Sequence, residues 1–138
     1  MAEQINALLV HAKDESYTDL TRILGLLGIK VIHAQSCRGA STFLERKDAI
    51  DLVFTGRNLQ DGGWVDVLVL AQRAESYLPV IVVSRKVDAR LYLEALGLGA
   101  FDFLTPPFVT SDMAHIVRSA IYKGLISGQQ NLTAPLVV

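Results

Sequence analysis

Cysteine is nearly absent: Cys37 stands alone in 138 residues, which excludes an internal disulfide and fits a reducing compartment. Proline is sparse at 4 residues, so little of the chain is barred from regular structure. An excess of one charge is also missing, with 13 basic against 14 acidic residues and a formal net charge of -1. That balance argues against a nucleic-acid surface and against a polyelectrolyte tail. Long apolar runs are lacking too. Val65 to Ala71 and Pro79 to Val83 fall well short of the roughly 20 residues a bilayer span needs. The start, Met1-Ala-Glu-Gln4, has neither the basic flank nor the apolar stretch of a secretory signal. A cytoplasmic protein without membrane contact is the expectation. What is present is apolar mass, 51% hydrophobic against 20% charged residues, enough for the core of one compact domain.

Two kinds of segment alternate along the chain. Apolar runs rich in β-branched residues predict buried strands at Ala7 to Val10, Lys30 to His33, Leu52 to Thr55, Val80 to Ser84 and Phe101 to Leu104. Between them lie amphipathic stretches of helical length. The first runs from about Ser16 to Leu27 with Leu20, Ile23, Leu24 and Leu27 on one stripe, and Gly28 stops it. The second follows Ser36 as N-cap and carries Ala40, Phe43 and Leu44. The third spans about Trp64 to Glu75, with Leu68, Leu70 and Ala71 inward; the fourth, about Asp88 to Leu98, has Leu91, Leu93, Ala95 and Leu96 as its apolar set and Gly99 after it. The fifth covers about Thr110 to Leu125, with Met113, Ile116, Val117, Ala120 and Ile121 at helical spacing. Strand alternating with helix five times implies an α/β fold, a parallel sheet doubly wound by helices on both faces in three layers. Residues 1–125 are expected to form the domain and 126–138 a C-terminal tail or linker.

In such a sheet the functional crevice lies beyond the carboxyl ends of the strands. The residues there are His11, Ala12 and Lys13; Gly56, Arg57 and Asn58; Ser84 and Arg85; and Thr105, Pro106 and Pro107. Two stretches carry a family likeness. Asp51-Leu-Val-Phe-Thr-Gly56 leads into Leu59-Gln-Asp-Gly-Gly-Trp64, and Pro79-Val-Ile-Val-Val-Ser84 is followed, after a helix, by Leu98-Gly-Ala-Phe-Asp-Phe-Leu-Thr-Pro-Pro-Phe108. From about Asn6 to Tyr122 the chain resembles the receiver domain of two-component response regulators. The resemblance implies a flavodoxin-like, CheY-like (βα)5 fold with a five-stranded parallel sheet in the order 2-1-3-4-5.

The family holds Mg²⁺ with an acidic pair after the first strand and takes a phosphoryl group on an aspartate ending the third. A Ser or Thr after the fourth strand contacts that group, and a Lys after the fifth neutralises it. Oxygen ligands for a hard cation and a fixed ammonium are what such a transfer requires. Here the acidic pair falls on His11 and Ala12, the acceptor on Gly56 and the lysine on Pro106, while Ser84 and an aromatic at the switch position, Phe103, are retained. The resemblance therefore implies a degenerate receiver, or pseudo-receiver, without a phosphoryl acceptor, metal or cofactor, which is not an enzyme and signals through protein contacts.

Other residues offer rival roles. Asp14 and Glu15 are expected to open the first helix, where carboxylates favour the positive end of the dipole, rather than to act as a displaced acidic pair. Asp61 is expected to be a turn residue before Gly62 and Gly63, and a phosphorelay using Asp61 or His11 as a non-standard acceptor is the alternative reading. No second histidine is placed by the sequence to complete a metal site with His11. Cys37 is expected to pack. Arg57, Arg85 and Lys86 gather cations at the pocket rim, where a small anion is a candidate ligand. The Pro106-Pro107 bond can adopt cis, as the family's turn requires. Tyr92, Arg118 and Tyr122 lie on the fourth and fifth helices, the face the family uses for dimers and outputs; Trp64 is the other aromatic candidate. The implied partners are a histidine kinase or an output domain, and a homodimer through the fourth helix, fifth strand and fifth helix. A flavodoxin-like cofactor protein is the remaining rival, but His11-Ala-Lys-Asp-Glu15 is no Gly- or Ser/Thr-rich phosphate loop.

Overall fold

The computed structural model describes residues 4–12, 15–46, 50–74 and 76–132, the side chains of residue 15 and of 127–132 excepted. Among them the strands are β1 Asn6–Val10, β2 Lys30–Ala34, β3 Leu52–Gly56, β4 Asn58–Leu59, β5 Gly62–Gly63, β6 Val80–Val83 and β7 Asp102–Leu104. The helices are α1 Glu15–Leu26, α2 Cys37–Glu45, α3 Trp64–Gln72, α4 Ala89–Gly97 and α5 Thr110–Leu132. Five strands form a parallel sheet in the order β2-β1-β3-β6-β7, which, counting only these five, is 2-1-3-4-5. The fold is the flavodoxin-like, doubly wound one.

Strand side chains alternate between faces, and that period sorts the core into two halves. Leu8, Val10, Val53, Val80 and Val82 meet Ala40, Trp64, Val67, Leu68, Leu91 and Ala95 from α2, α3 and α4. Ala7, Leu9, Leu52, Phe54, Ile81 and Val83 meet Leu20, Ile23, Leu24, Met113 and Val117 from α1 and α5. Each fully buried Leu, Ile, Val or Phe contributes about 1.5–3 kcal/mol, so both faces must be covered for the sheet to persist.

Local chemistry sets the helix ends. Ser36 Oγ accepts from the Gly39 amide at 2.9 Å and Asp88 Oδ1 from the Leu91 amide at 3.0 Å, capping α2 and α4. Gly28, at φ +77°, takes the left-handed turn that ends α1.

Several expectations need correcting. On α3 the buried set is Trp64, Val67, Leu68 and Ala71, with Leu70 only half-buried. Leu93 on α4 is 68% exposed, because it is two residues from both Leu91 and Ala95 and so points away from their face. Helix α5 continues past Leu125 to Leu132; its interior glycines weaken a helix by about 1 kcal/mol each and do not end it. The β4–β5 pair was not foreseen. Lys13, Asp14, Glu75 and 133–138 lie outside the described residues.

Candidate functional site

Strands β1 and β3 are neighbours with Val10 opposite Thr55. The chain winds outward in opposite directions from this pair, so the switch-point crevice opens above it. His11 and Gly56, both buried, are the residues at its lip; Ser84, also buried, follows β6, and Pro106 follows β7 at the sheet's edge. Of His11, Ala12, Gly56, Ser84 and Pro106, only Ala12 and Ser84 line the cavity there.

A row of rings covers the rest. Tyr17, on the first turns of α1 and buried, stacks on His11 with ring centroids 4.4 Å apart and 15° between planes. His11 meets His33 of β2 edge-on at 5.3 Å. The Tyr17 hydroxyl lies so close over Gly56 that a Cβ added there would overlap it. With both rings neutral, the hydrogen bonds set the tautomers. His11 Nδ1 is 2.9 Å from the Ala12 carbonyl, which can only accept, so Nδ1 carries the proton. His11 Nε2 therefore accepts from His33 Nδ1 at 3.1 Å. Burial, and then the neighbouring His11, hold the His33 imidazole below its ordinary pKa. Sequence reading placed no second histidine here; the structure does, with the facing nitrogens committed to each other. Among the described residues no group of three or more His, Cys, Asp and Glu side chains gathers as a metal site.

The cavity beside this row has a volume of about 390 Å³ and is lined by Ala12, Ser16, Tyr17, Arg57, Asn58, Val83, Ser84, Arg85 and Lys86. The three cations expected at the rim do converge on it. Arg57 Nη1 lies 3.7 Å from Asp88 Oδ2, so one carboxylate both caps α4 and faces this cation. Ser84 Oγ donates to the Lys86 carbonyl at 3.2 Å and sits 3.4 Å from the Lys86 amide, a local turn rather than a contact across the cavity.

Asp61 is more than a turn residue. Its Oδ1 accepts from the Cys37 amide at 2.7 Å and its Oδ2 from the Arg38 amide at 3.0 Å, so it caps α2 from the β4–β5 turn. Those amides hold its carboxyl below the usual range. Asp66 Oδ2 accepts from the Gly63 amide at 2.9 Å and fixes the other end of the turn. Burial, helped by the charges of Asp61 and Asp66, pushes the Cys37 thiol up to about 11. Cys37 should accordingly be almost unreactive toward a thiol reagent such as DTNB at neutral pH and react readily in urea; equal rates in both would contradict its packing.

Phe103 is half-buried under α4, edge-on to Tyr92 with centroids 6.0 Å apart. Tyr92 is 40% and Tyr122 64% exposed, and Arg118 is exposed on α5. The Pro106–Pro107 bond is cis.

The model of the response regulator receiver domain matches residues 7–118. The chain belongs to that family. It is 28% identical over 115 residues to the response regulator protein PilR of Pseudomonas aeruginosa, covering 83% of this chain and 26% of that protein. To the C4-dicarboxylate transport transcriptional regulatory protein DctD of the same organism it is 27% identical over 118 residues, covering 86% and 25%. The chain thus spans about a quarter of the length of these curated relatives. In fold it is similar to the signal receiver domain of a LuxO-type repressor protein from Vibrio parahaemolyticus, with a TM-score of 0.75, 21% identity and coverage of 90% of this chain and 98% of that one. Receiver domains are signalling domains of two-component systems that interact with histidine kinases and output domains. No helix among the described residues is long and apolar enough to cross a membrane.

Sequence reasoning missed Tyr17, His33 and the Asp61 cap. His33 was within reach: in the β1–β2 register Leu9 pairs with His33, so His11, two residues on, shares its face. Tyr17 and Asp61 act through contacts that no local pattern encodes.

Proposed function

We propose that this receiver domain takes no phosphoryl group and acts in signal transduction through protein–protein contacts. The observation that carries the reading is the closure of the crevice floor: Gly56 ends β3 beneath Tyr17, where the acceptor aspartate of the family would stand. The metal test points the same way. Mg²⁺ wants near-octahedral oxygen ligands, and the described lining of the cavity offers Arg57, Arg85 and Lys86 but no carboxylate. These residues do not fit the ion, and no step is routed through one. In this reading His11, Ala12, Gly56, Ser84 and Pro106 are the remains of a phosphorylation pocket, Ser84 and Phe103 its retained switch positions, and the domain is not an enzyme and works without a cofactor.

A non-standard acceptor finds little support. Both oxygens of Asp61 are taken up by the α2 amides, and both ring nitrogens of His11 are hydrogen-bonded. The output surface we assign is α4–β7–α5, where Tyr92, Arg118 and Tyr122 are exposed for a homodimer, a kinase or an output domain. We place the domain at 1–125, with 126–138 as a C-terminal tail or linker, and the protein in the cytoplasm.

Acetyl phosphate or beryllofluoride with Mg²⁺ is expected to leave the intact mass and the tryptophan fluorescence unchanged. A stable aspartyl-phosphate, mapped to any residue, would overturn the reading.

A further inference from the structure

We propose that His11 and His33 form a proton-operated latch at the crevice lip, closed while the pair carries at most one extra proton and open once it carries two. The latch goes beyond the functional reading above, which says only which input the domain does not take.

Its geometry carries it. His11 is buried and His33 exposed, and the two rings meet edge-on with His11 Nε2 3.1 Å from His33 Nδ1. One proton lies between the facing nitrogens, and His11 Nδ1 is committed to the Ala12 carbonyl. A first extra proton has one place to go that keeps this bond. It joins Nε2 of the exposed His33, whose Nδ1–H still donates to His11. A second extra proton must land on His11 Nε2. An imidazolium has two donors and no acceptor, so two N–H groups and two like charges would then face each other across 3.1 Å. The bond breaks. His33, the exposed ring, leaves for water, while His11 keeps its stack on Tyr17, whose ring face suits a cation. The strands stay joined, because the His11 amide donates to the Ala34 carbonyl at 3.0 Å. Opening is therefore a side-chain event that bares His11 at the lip.

No other charge governs the pair. Among the described residues neither ring has an ion-pair partner. Leu9 and His33 are opposite one another in the β1–β2 register, so the latch lies on the sheet face that α1 and α5 cover. From α1 it meets Tyr17, while Asp19 and Arg22 bond to each other. Helix α5 carries Asp112, His115 and Arg118, all exposed. On β2 the other charged residue is Lys30, at the far end of the strand, and β3 ends in Gly56. Arg57, Arg85 and Lys86 line the cavity that Tyr17 also lines, and Asp88 lies against Arg57. Burial and then His11 hold the His33 imidazole below its ordinary 6.5. The unfolded chain thus binds more protons just below that pH, and stability should fall as the pH falls through it.

The test follows the imidazole nitrogens of the full ¹⁵N-labelled chain from about pH 8 to about pH 4.5. His115 serves as the reference ring, and the amides of Tyr17 and Gly56 as reporters. At the alkaline end both latch rings should carry their proton on Nδ1. The pair should then gain two protons in two separate steps, and the reporter amides should move with the second. His33→Ala removes an exposed ring, so the fold should persist. There the reporters should follow a single step at higher pH than the second step of the wild type, because His11 no longer has a charged neighbour. One joint step for both rings, reporters that move with the first proton, or an unchanged reporter profile in His33→Ala would each overturn the proposal. So would loss of all native amide signals before the second proton is taken up, since the latch would then never open in the folded chain.

Discussion

Gly56→Ala and Tyr17→Ala are expected to be strongly non-additive, the pair costing less than the sum of the two single changes. A methyl on Gly56 would overlap the Tyr17 hydroxyl and come within 3.3 Å of its Cζ. The ring cannot bend away. It must turn at χ1, which breaks its stack on His11 and uncovers a buried surface. Overpacking of this kind costs about 1–3 kcal/mol. Removing the ring by Tyr17→Ala costs about 3 kcal/mol, the low end for a buried aromatic truncated to alanine, because an opening onto the cavity lets water fill part of the gap. Once the ring is gone the added methyl meets open space, so the coupling should be about 1–2 kcal/mol in the favourable direction. Urea unfolding of the wild type, both single variants and the double variant measures it. Additivity within about 0.5 kcal/mol would mean that Tyr17 does not occupy the space above Gly56. Gly56→Asp should be costlier than Gly56→Ala, since it brings a larger side chain into the same overlap with Tyr17. By itself it should not confer phosphorylation at position 56.

Trp64→Ala should be the most damaging single change on the pocket side of the molecule. Trp64 begins α3, is buried, and packs in the core half beneath α2, α3 and α4. Its amide donates to the Arg57 carbonyl at 3.1 Å, closing the segment that holds Arg57 and Asn58 at the cavity rim. Loss of such a ring costs about 3–5 kcal/mol, against a total of about 5–15 kcal/mol for a domain. The variant is expected to melt well below the wild type, and to lose the slow thiol chemistry of Cys37, whose shielding depends on the same turn. A variant with wild-type unfolding midpoint in urea would show that the indole is not a core residue. Trp64→Phe, which keeps most of the apolar surface, should recover much of the loss.

How much of this was written legibly in the chain depends on the range of the interaction. The alternation of apolar runs with amphipathic stretches located all five sheet strands and all five helices, because burial on both sheet faces gives unbroken apolar runs and burial of one helix face a period of 3.6 residues. Ends set by local chemistry were equally legible: Ser36, Asp88 and Gly28 act within a few residues of where they stand. The residues at the crevice lip followed from the fold alone. What fills the crevice did not. Tyr17 reaches Gly56 across 39 residues of sequence, and Asp61 reaches the α2 amides across 23 and 24. A tyrosine in the first turns of an amphipathic helix looks the same whether it packs sideways or over a neighbouring strand. The β4–β5 pair is likewise invisible, two residues a side, with its geometry held by the carboxylates of Asp61 and Asp66 rather than by strand propensity.

If the domain takes no phosphoryl group, as proposed above, the overlap between Tyr17 and position 56 also gives any route to phosphorylation a required order. An aspartate appearing first at 56 would meet the ring and lower stability without gaining a function, so that path descends before it rises. Shrinking residue 17 first would open the floor of the crevice, but it would sacrifice packing while the acceptor is still missing. Two further carboxylates and a lysine would then be wanted at positions now held by His11, Ala12 and Pro106. On the reading proposed above, the ring thus acts as a ratchet: it makes the absence of an acceptor hard to reverse one substitution at a time.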